Sequence, residues 1–482
     1  METEFSGTST SFKGFFWSAI ERFSVQAVQF LFQIILARLL SPGDYGLIAI
    51  LAIFMAIAQT FIDAGFSNAL IRKSDRNELD YCTVFYTNIG LSIVAYAVLF
   101  LLSPIIAAFY RIPRLTSIAR VYMLSIPVLA SAAIQRTQYT IKVNFREQAL
   151  ATLSGTLVGG IVGVILAVLK YGPWALVFSA LATHMVTAAV FWMRSSWRPK
   201  LQFSFASFRS MFAFGSRLLF SGLLNTLYIN LYQLAIGKKF SSVDLGYYSR
   251  ADQFAQFPSS NISGILQRVT YPILCSLSRD EIRLMEAYRK YLKLSAMIVF
   301  PLMIGLAAVS ESFITLLLGS KWLFSARILR ILCFAFMWYP IHAMNLNLLL
   351  VKGRSDLFFR LEIIKKVIGI SILAITLNFN ILVMAAGSII SSLIALFINT
   401  YYSERLAGYG LLQQFNDIAP FLIVSLMACL PAYLLAKFMQ PNLLVFFLSI
   451  ALSAVLYAAI IEKMKIQEFA AVKTMMKEYL KK

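Results

Sequence analysis

Apolar runs of similar length recur along the whole chain, separated by short polar connectors in which the basic residues collect. A helix needs about 20 mostly apolar residues to cross the hydrocarbon core of a bilayer. Runs of that kind lie near 15–38, 45–67, 82–103, 116–139, 149–169, 173–193, 211–236, 246–267, 294–317, 324–350, 359–378, 381–402, 417–436 and 443–462. They are continuously apolar and lack the period of two that marks the strands of a transmembrane β-barrel. The pattern predicts an all-α, polytopic membrane protein with about fourteen transmembrane helices. No connector is long enough to fold as a separate domain, and the first run exceeds a signal-peptide core, so it is expected to remain as the first span.

The connectors alternate in charge. One set carries clusters such as Arg72, Lys73 and Arg76, then Arg194, Arg198 and Lys200, then Arg279, Arg283, Arg289, Lys290 and Lys293, and finally the lysines from Lys463 to Lys482. The other set holds scattered residues such as Arg111, Arg114, Lys170, Lys321 and Lys437, a ratio of about 26 to 8. Basic residues accumulate in cytoplasmic loops, so the richer side is expected to be cytoplasmic, with both termini inside. A missed or invented span would invert the alternation from that point on, and no inversion occurs. The net charge of +21 is thereby assigned to topology and not to a nucleic-acid surface. Composition agrees: 59% hydrophobic and 13% charged residues, with a mean hydropathy of +0.75, cannot clothe a water-facing surface, which takes about a quarter charged residues.

A gapless offset of 200 residues aligns Leu31 with Leu231, Gln33 with Gln233, Ser41 with Ser241, Asp44 with Asp244, Gly46 with Gly246 and Ile62 with Ile262. The segments ARLLSPGDYGL and GKKFSSVDLGY each form a short turn between two apolar runs. With six spans between the copies, the repeat is parallel, and substrate sites in such transporters lie at the repeat interface. The expected organisation is a six-helix bundle over 1–200, a second over 201–410, and two additional helices with a basic tail over 411–482.

Several spans carry polar residues along one face. In the first, Ser18, Arg22, Gln26, Gln29 and Gln33 follow a spacing of 4, 4, 3 and 4, which aligns them on a helix. Arg217, Ser221, Asn225, Tyr228 and Tyr232 repeat that spacing in the seventh. The eighth holds Ser249, Arg250, Asp252, Gln253, Gln256, Ser260, Ser263 and Gln267, and the second Gln59, Asp63 and Ser67. Polar and charged groups are unfavourable in hydrocarbon unless they face other helices or water, and one or two per helix suffice to hold a bundle together. A continuous stripe is expected to face a hydrophilic cavity. The candidate cavity residues are Arg22, Gln26, Gln29, Gln33, Arg217, Ser221, Asn225, Tyr228, Tyr232, Arg250, Gln253 and Gln256. Glu21, Asp63 and Asp252 are the candidates for ion coupling. Arg136 and Arg268, at span ends, read as topology determinants, and His342, Lys365 and Lys366 as weaker cavity candidates. Pro127, Pro258, Pro301, Pro340 and Pro431 mark places where a span loses a backbone donor and can bend.

Catalytic signals are missing. Cys82, Cys275, Cys333 and Cys429 are single and unpaired in spacing, and His184 and His342 each stand alone in an apolar run, so no metal or disulfide framework is expected. No cofactor motif occurs.

The segments FFWSAIERF, LARLLSPGDYGLIAI, FIDAGFSNALIRK, GYYSRADQFAQFPSSNISGILQRVTYPIL and VKGRSDLFFRLEIIKK resemble the bacterial polysaccharide transport family of the multidrug, oligosaccharidyl-lipid and polysaccharide exporter superfamily. The resemblance implies two six-helix bundles related by a pseudo-twofold, two extra C-terminal helices, and alternating access in the bacterial cytoplasmic membrane. It also implies an undecaprenyl-pyrophosphate-linked oligosaccharide as cargo, coupling to an ion gradient, and association with a polysaccharide polymerase and chain-length regulator. The residue types suit that cargo: arginine bonds pyrophosphate through charge-assisted, often bidentate contacts, and amides and hydroxyls suit sugars. A cation-coupled multidrug exporter of the same superfamily is the nearest alternative, although it calls for acidic cavity residues. A membrane-embedded polymerase or ligase calls for a larger external loop or an acid/base cluster.

Overall fold

The computed structural model describes residues 25–62, 66–465 and 468–469, with the backbone alone for Ala213, Phe214, Arg217 and Leu218. Among the described residues every regular element is a helix and there is no strand. The chain divides into two compact units, Met1–Gly246 and Tyr247–Lys482.

The first unit contains α1 (Val25–Leu39), α2 (Pro42–Ile62), α3 (Asn68–Arg72), α4 (Glu78–Tyr110), α5 (Leu115–Tyr122), α6 (Ser125–Ser131), α7 (Ala133–Ile141), α8 (Phe145–Val168), α9 (Pro173–Arg194), α10 (Phe205–Ile229) and α11 (Leu231–Lys239). It ends in the first turn of α12 (Ser242–Ser276), which continues into the second unit. There follow α13 (Glu281–Ala308), α14 (Ser310–Leu318), α15 (Leu323–Phe336), α16 (Tyr339–Val351), α17 (Ser355–Thr376), α18 (Ile381–Ala407), α19 (Leu411–Phe438) and α20 (Leu443–Lys463).

Nine of the described helical stretches are long and apolar enough to cross a membrane, and the bent run Leu115–Ile141 makes up to ten. The long helices outside that group are α10, α12 and α17, and α1 is apolar but short over its described part. Three of these four carry the polar stripes, and α17 carries Glu362, Lys365 and Lys366. Polar content is what lowers the hydropathy of α10, α12 and α17, so the described helices are consistent with about fourteen spans of bilayer length.

The offset repeat has a structural counterpart. Before α2, the Ser41 hydroxyl donates to Asp44 Oδ2 at 2.6 Å and the Asp44 amide donates back to Ser41 Oγ at 3.3 Å. Before α12, the Ser241 hydroxyl donates to Asp244 Oδ2 at 2.7 Å and the Asp244 amide donates back at 3.0 Å. Each acidic residue at the third position satisfies donors that the first helical turn leaves open. A Cβ on Gly46 would lie 1.6 Å from the Ser242 carbonyl oxygen, and one on Gly246 would lie 1.8 Å from that of Pro42. Since Ser242 is the repeat mate of Pro42, the contact is symmetric: the first turns of α2 and α12 meet backbone to backbone, which only glycine permits.

Four expected single spans are interrupted, the ninth of them at Val309, between α13 and α14. The fourth divides into α5, α6 and α7, with a 42° bend at its second break; Pro127 has no amide to donate to Met123, where the first break falls. The tenth divides into α15 and α16, and Pro340 occupies the first turn of α16, where its lost donor is unneeded. The carbonyl it leaves, that of Phe336, accepts from the Ser259 hydroxyl at 2.7 Å. The seventh divides at Asn230, whose side-chain amide donates to the Thr226 carbonyl at 2.8 Å and so competes with the backbone. Elsewhere helices continue through their prolines. The Met297 carbonyl, four residues before Pro301, accepts from Tyr457 at 2.7 Å, and the Phe100 carbonyl, four before Pro104, accepts from Ser103 at 2.7 Å. Hydroxyls thus replace the missing amides, as they do in membrane helices generally. The eighth span, α12, is likewise continuous through Pro258 and Pro272.

Candidate binding pocket in the first unit

The polar interior of the first unit begins with three glycines. Gly155, Gly159 and Gly163 lie four residues apart on α8 and face α9 so closely that a Cβ on Gly159 would sit 1.9 Å from Thr183 Oγ1 and 2.5 Å from the Ser179 carbonyl. Small residues at this spacing let two membrane helices approach through their backbones. On the other side of α8, a Cβ on Gly160 would strike the Phe32 ring of α1 at 2.3 Å. Thr183 and Thr187 from α9 are thereby brought beside Thr152 and Thr156 from α8.

These four threonines form part of the wall of a cavity of 540 Å³, closed on its other sides by Gln29 of α1, Gln59 of α2, Ser67, Asn68 of α3, and the α6–α7 bend. Its size falls within the range of small-molecule pockets, about 300–1,000 Å³. The bend turns Arg136, Thr137 and Thr140 toward the space, and Gln148 and His184 complete the polar lining. Four wall hydroxyls are already oriented: Thr152 donates to the Gln148 carbonyl, Thr156 to Thr152, Thr183 to Ser179 and Thr137 to Ala133, all at 2.8 Å. The remaining lone pairs stay available as acceptors. Gln148 Nε2 donates to Thr140 Oγ1 at 2.9 Å, which fixes the floor. Arg136 is exposed to the cavity and forms no ion pair among the described residues. The site therefore presents one guanidinium, amide groups and oriented hydroxyls, a set that fits an anionic or hydroxyl-rich ligand.

The expected site residues are dispersed. Gln29 lines the cavity, joined by Gln59 and Ser67 of the second-span stripe. Gln26 lies on α1 half-buried, with Oε1 buried and without a partner among the described residues, and Gln33 offers its carbonyl to Tyr45 at 3.4 Å. Ser221 and Asn225 are exposed on α10, Tyr228 and Tyr232 half-buried on α10 and α11, and α10 meets α2 through Thr60 and Thr226, whose hydroxyls are 3.0 Å apart. Arg250, Asp252, Gln253 and Gln256 lie on the part of α12 in the second unit, the first three half-buried and Gln256 exposed. Glu21, Arg22 and Asp63 lie outside the described residues, as does the side chain of Arg217. Arg136, read from the sequence as a topology determinant, is the charged residue on the cavity wall. The threonine spacing of four at Thr152 and Thr156, and again at Thr183 and Thr187, was the available signal for the wall.

The second unit has a polar interior of another kind. Asn345 and Gln414 exchange side-chain hydrogen bonds at 3.0 Å in both directions, and the Ser403 hydroxyl donates to Asn345 Oδ1 at 2.7 Å. A turn away, His342 Nε2 meets Ser392 Oγ at 3.0 Å, and Ser392 donates onward to the Ala335 carbonyl at 3.0 Å. With its proton so used, Ser392 accepts from the ring, which places the histidine proton on Nε2.

The family model described as "Polysaccharide biosynthesis protein" matches residues 35–327. The teichuronic acid biosynthesis protein TuaB of Bacillus subtilis strain 168 is 27% identical over 422 residues, covering 85% of this chain and 86% of that protein. The lipopolysaccharide biosynthesis protein WzxC of Escherichia coli K12 is 27% identical over 355 residues, covering 72% of this chain and 71% of that protein. Among solved structures, the lipid II flippase MurJ in an inward closed conformation superposes with a TM-score of 0.74 at 14% identity, covering 93% of this chain and 99% of that one. That likeness is one of fold.

Proposed function

Because this chain belongs to the polysaccharide biosynthesis protein family, we propose that it is a flippase that moves undecaprenyl-pyrophosphate-linked oligosaccharide units across the bacterial cytoplasmic membrane by alternating access. The units would feed lipopolysaccharide O-antigen, capsule or exopolysaccharide synthesis. The relatives are biosynthesis proteins for surface polysaccharides, and the matching fold includes a lipid II flippase. This multi-pass membrane protein acts as a transporter and not as a catalyst. In our reading both termini face the cytoplasm, and polymerase and chain-length regulator receive the product.

The observation that carries the reading is the cavity of the first unit, with Arg136 facing hydroxyls and amides inside a helical membrane bundle. Sugar hydroxyls match the oriented threonines, and the anionic pyrophosphate matches the guanidinium. Arg22 and Arg217, on matching stripes, are proposed as further pyrophosphate ligands, the remaining stripe residues as sugar contacts, and Glu21, Asp63 and Asp252 as coupling groups.

The test is leaflet sidedness, read with an impermeant lectin on vesicles of known orientation. Loss of a hydrogen bond to a charged group costs about 1.5–3 kcal/mol, so Arg136→Ala is expected to slow translocation tenfold or more while Arg136→Lys retains part of the rate. Full translocation by Arg136→Ala would remove the cavity from the pathway. Gene deletion is expected to leave lipid-linked units with their sugars on the cytoplasmic face. Accumulation on the outer face would point to polymerisation, and a change in drug tolerance alone to an exporter.

A further inference from the structure

A second charged recess lies in the other unit, where the end of α13, the start of α14, the middle of α15 and the last turn of α19 converge. It encloses 210 Å³ and is lined by Ala308, Glu311, Arg330, Tyr433, Ala436 and Lys437. Glu311 accepts from Arg330 Nη2 at 2.9 Å, and the guanidinium lies 5.3 Å from the centre of the Tyr433 ring. That geometry holds the arginine plane in place by a carboxylate on one edge and an aromatic face beneath. It leaves Arg330 Nε buried and without a hydrogen-bond partner among the described residues. Lys437 adds a second positive charge, exposed, with no carboxylate at ion-pair distance among the described residues. Two cations against one carboxylate leave one positive charge unbalanced, at a place where a donor already lacks an acceptor.

We propose that this recess binds the phosphate of an anionic membrane lipid. The surroundings select a lipid over a free anion: Leu434, Phe438 and Met439 stand beside Lys437 and are 43%, 77% and 47% exposed, a flank suited to acyl chains. A phosphodiester between Lys437 and Arg330 would neutralise the excess charge, as headgroups do in basic pockets between membrane helices. Glu311 then has two functions, orienting Arg330 and competing with the ligand for it. The recess shares no residue with the cavity of the first unit, and the proposal does not depend on what that cavity carries.

The test uses the purified full-length chain and native mass spectrometry with phosphatidylglycerol or phosphatidylcholine. Phosphatidylglycerol is expected to be retained preferentially. Lys437→Gln should lower its retention about fivefold, the effect of one basic side chain near an anionic headgroup, and Glu311→Gln should raise it. Lys239→Gln, an exposed lysine of the other unit, should leave it unchanged. Equal retention of the two lipids would overturn the proposal, as would equal losses from Lys437→Gln and Lys239→Gln, or a fall on Glu311→Gln. Displacement of the lipid by inorganic phosphate at equal concentration would overturn the choice of a lipid.

Discussion

In the first unit Thr152 and Thr156 of α8 and Thr183 of α9 donate to carbonyls of their own helices and present their remaining lone pairs to a cavity shared with Arg136. In the second, Asn345, Gln414 and Ser403 are almost fully buried and bond one another. Both sets consist of amides and hydroxyls in apolar helices, yet one is open and the other closed. What separates a ligand site from structural cement in a membrane bundle is whether the last unsatisfied lone pair faces another side chain or space. Helix spacing decides that. Gly155, Gly159 and Gly163 draw α8 and α9 together while the bend at Ala132 swings α7 aside, so packing is tightest next to where it opens.

The largest effect should come from breaking the closed network. Asn345→Leu takes the donor from buried Gln414 Oε1, while Gln414 Nε2 keeps the Tyr409 carbonyl at 3.1 Å, and an unsatisfied buried polar group costs about 1–3 kcal/mol. The Ser403 hydroxyl loses its 2.7 Å acceptor as well and keeps only the Asn399 carbonyl at 3.3 Å, so thermal unfolding in detergent should show a loss within that range. Asn345→Leu with Gln414→Leu should cost less than the two single changes added, because the pair then leaves together. Additive losses would mean that the two amides do not act as a unit.

The glycine seam should respond next. Gly159→Ala places a methyl 2.5 Å from a backbone oxygen, and overpacking of this kind costs about 1–3 kcal/mol. Gly90→Ala on α4, where nothing lies within 4 Å, should not destabilise. A tolerated Gly159→Ala would show that α8 and α9 part easily and that the cavity wall is soft.

The apolar helices and the paired turns of the offset repeat were legible because each is a local or periodic property. The Ser41–Asp44 and Ser241–Asp244 boxes even share their hydrogen bonds. The pocket was less legible. Gln29 and Gln59 could be read as helical-face polar residues, but Arg136 sits near a span end and looked like any loop-proximal charge until the α6–α7 bend placed it on the wall. The threonines were visible in spacing and silent in meaning, since a threonine in an apolar helix bonds its own backbone whether or not a cavity lies beyond it. His342, Asn345, Ser403 and Gln414 come from three different helices, α16, α18 and α19, so no single-helix pattern links them. Of the prolines named from the sequence, Pro127 and Pro340 lie at breaks, whereas the helices continue through Pro258, Pro301 and Pro431; the hydroxyls of Ser259 and Tyr457, which bond the carbonyls left by Pro340 and Pro301, were not anticipated.

The smallest effect offers the sharpest test, because it compares one substitution at two places. Thr152 on α8 and Thr400 on α18 both donate to the carbonyl four residues before them, at 2.8 Å and 3.0 Å. Thr152 lines the cavity, whereas Thr400 is fully buried in the second unit. Valine keeps the shape of threonine and removes the hydroxyl, and loss of such a back-bond should change stability by no more than about 0.5 kcal/mol at either site, since side-chain hydrogen bonds in membrane bundles average near that value. Translocation should separate them. Thr152→Val removes a group available to a sugar hydroxyl, and a neutral hydrogen bond worth about 0.5–1.5 kcal/mol predicts a rate about two- to tenfold lower; Thr400→Val should match the parent rate. Equal rates for both variants would make the wall of the first unit cement like that of the second. Equal losses would show that the hydroxyls act through helix geometry and not through what they face.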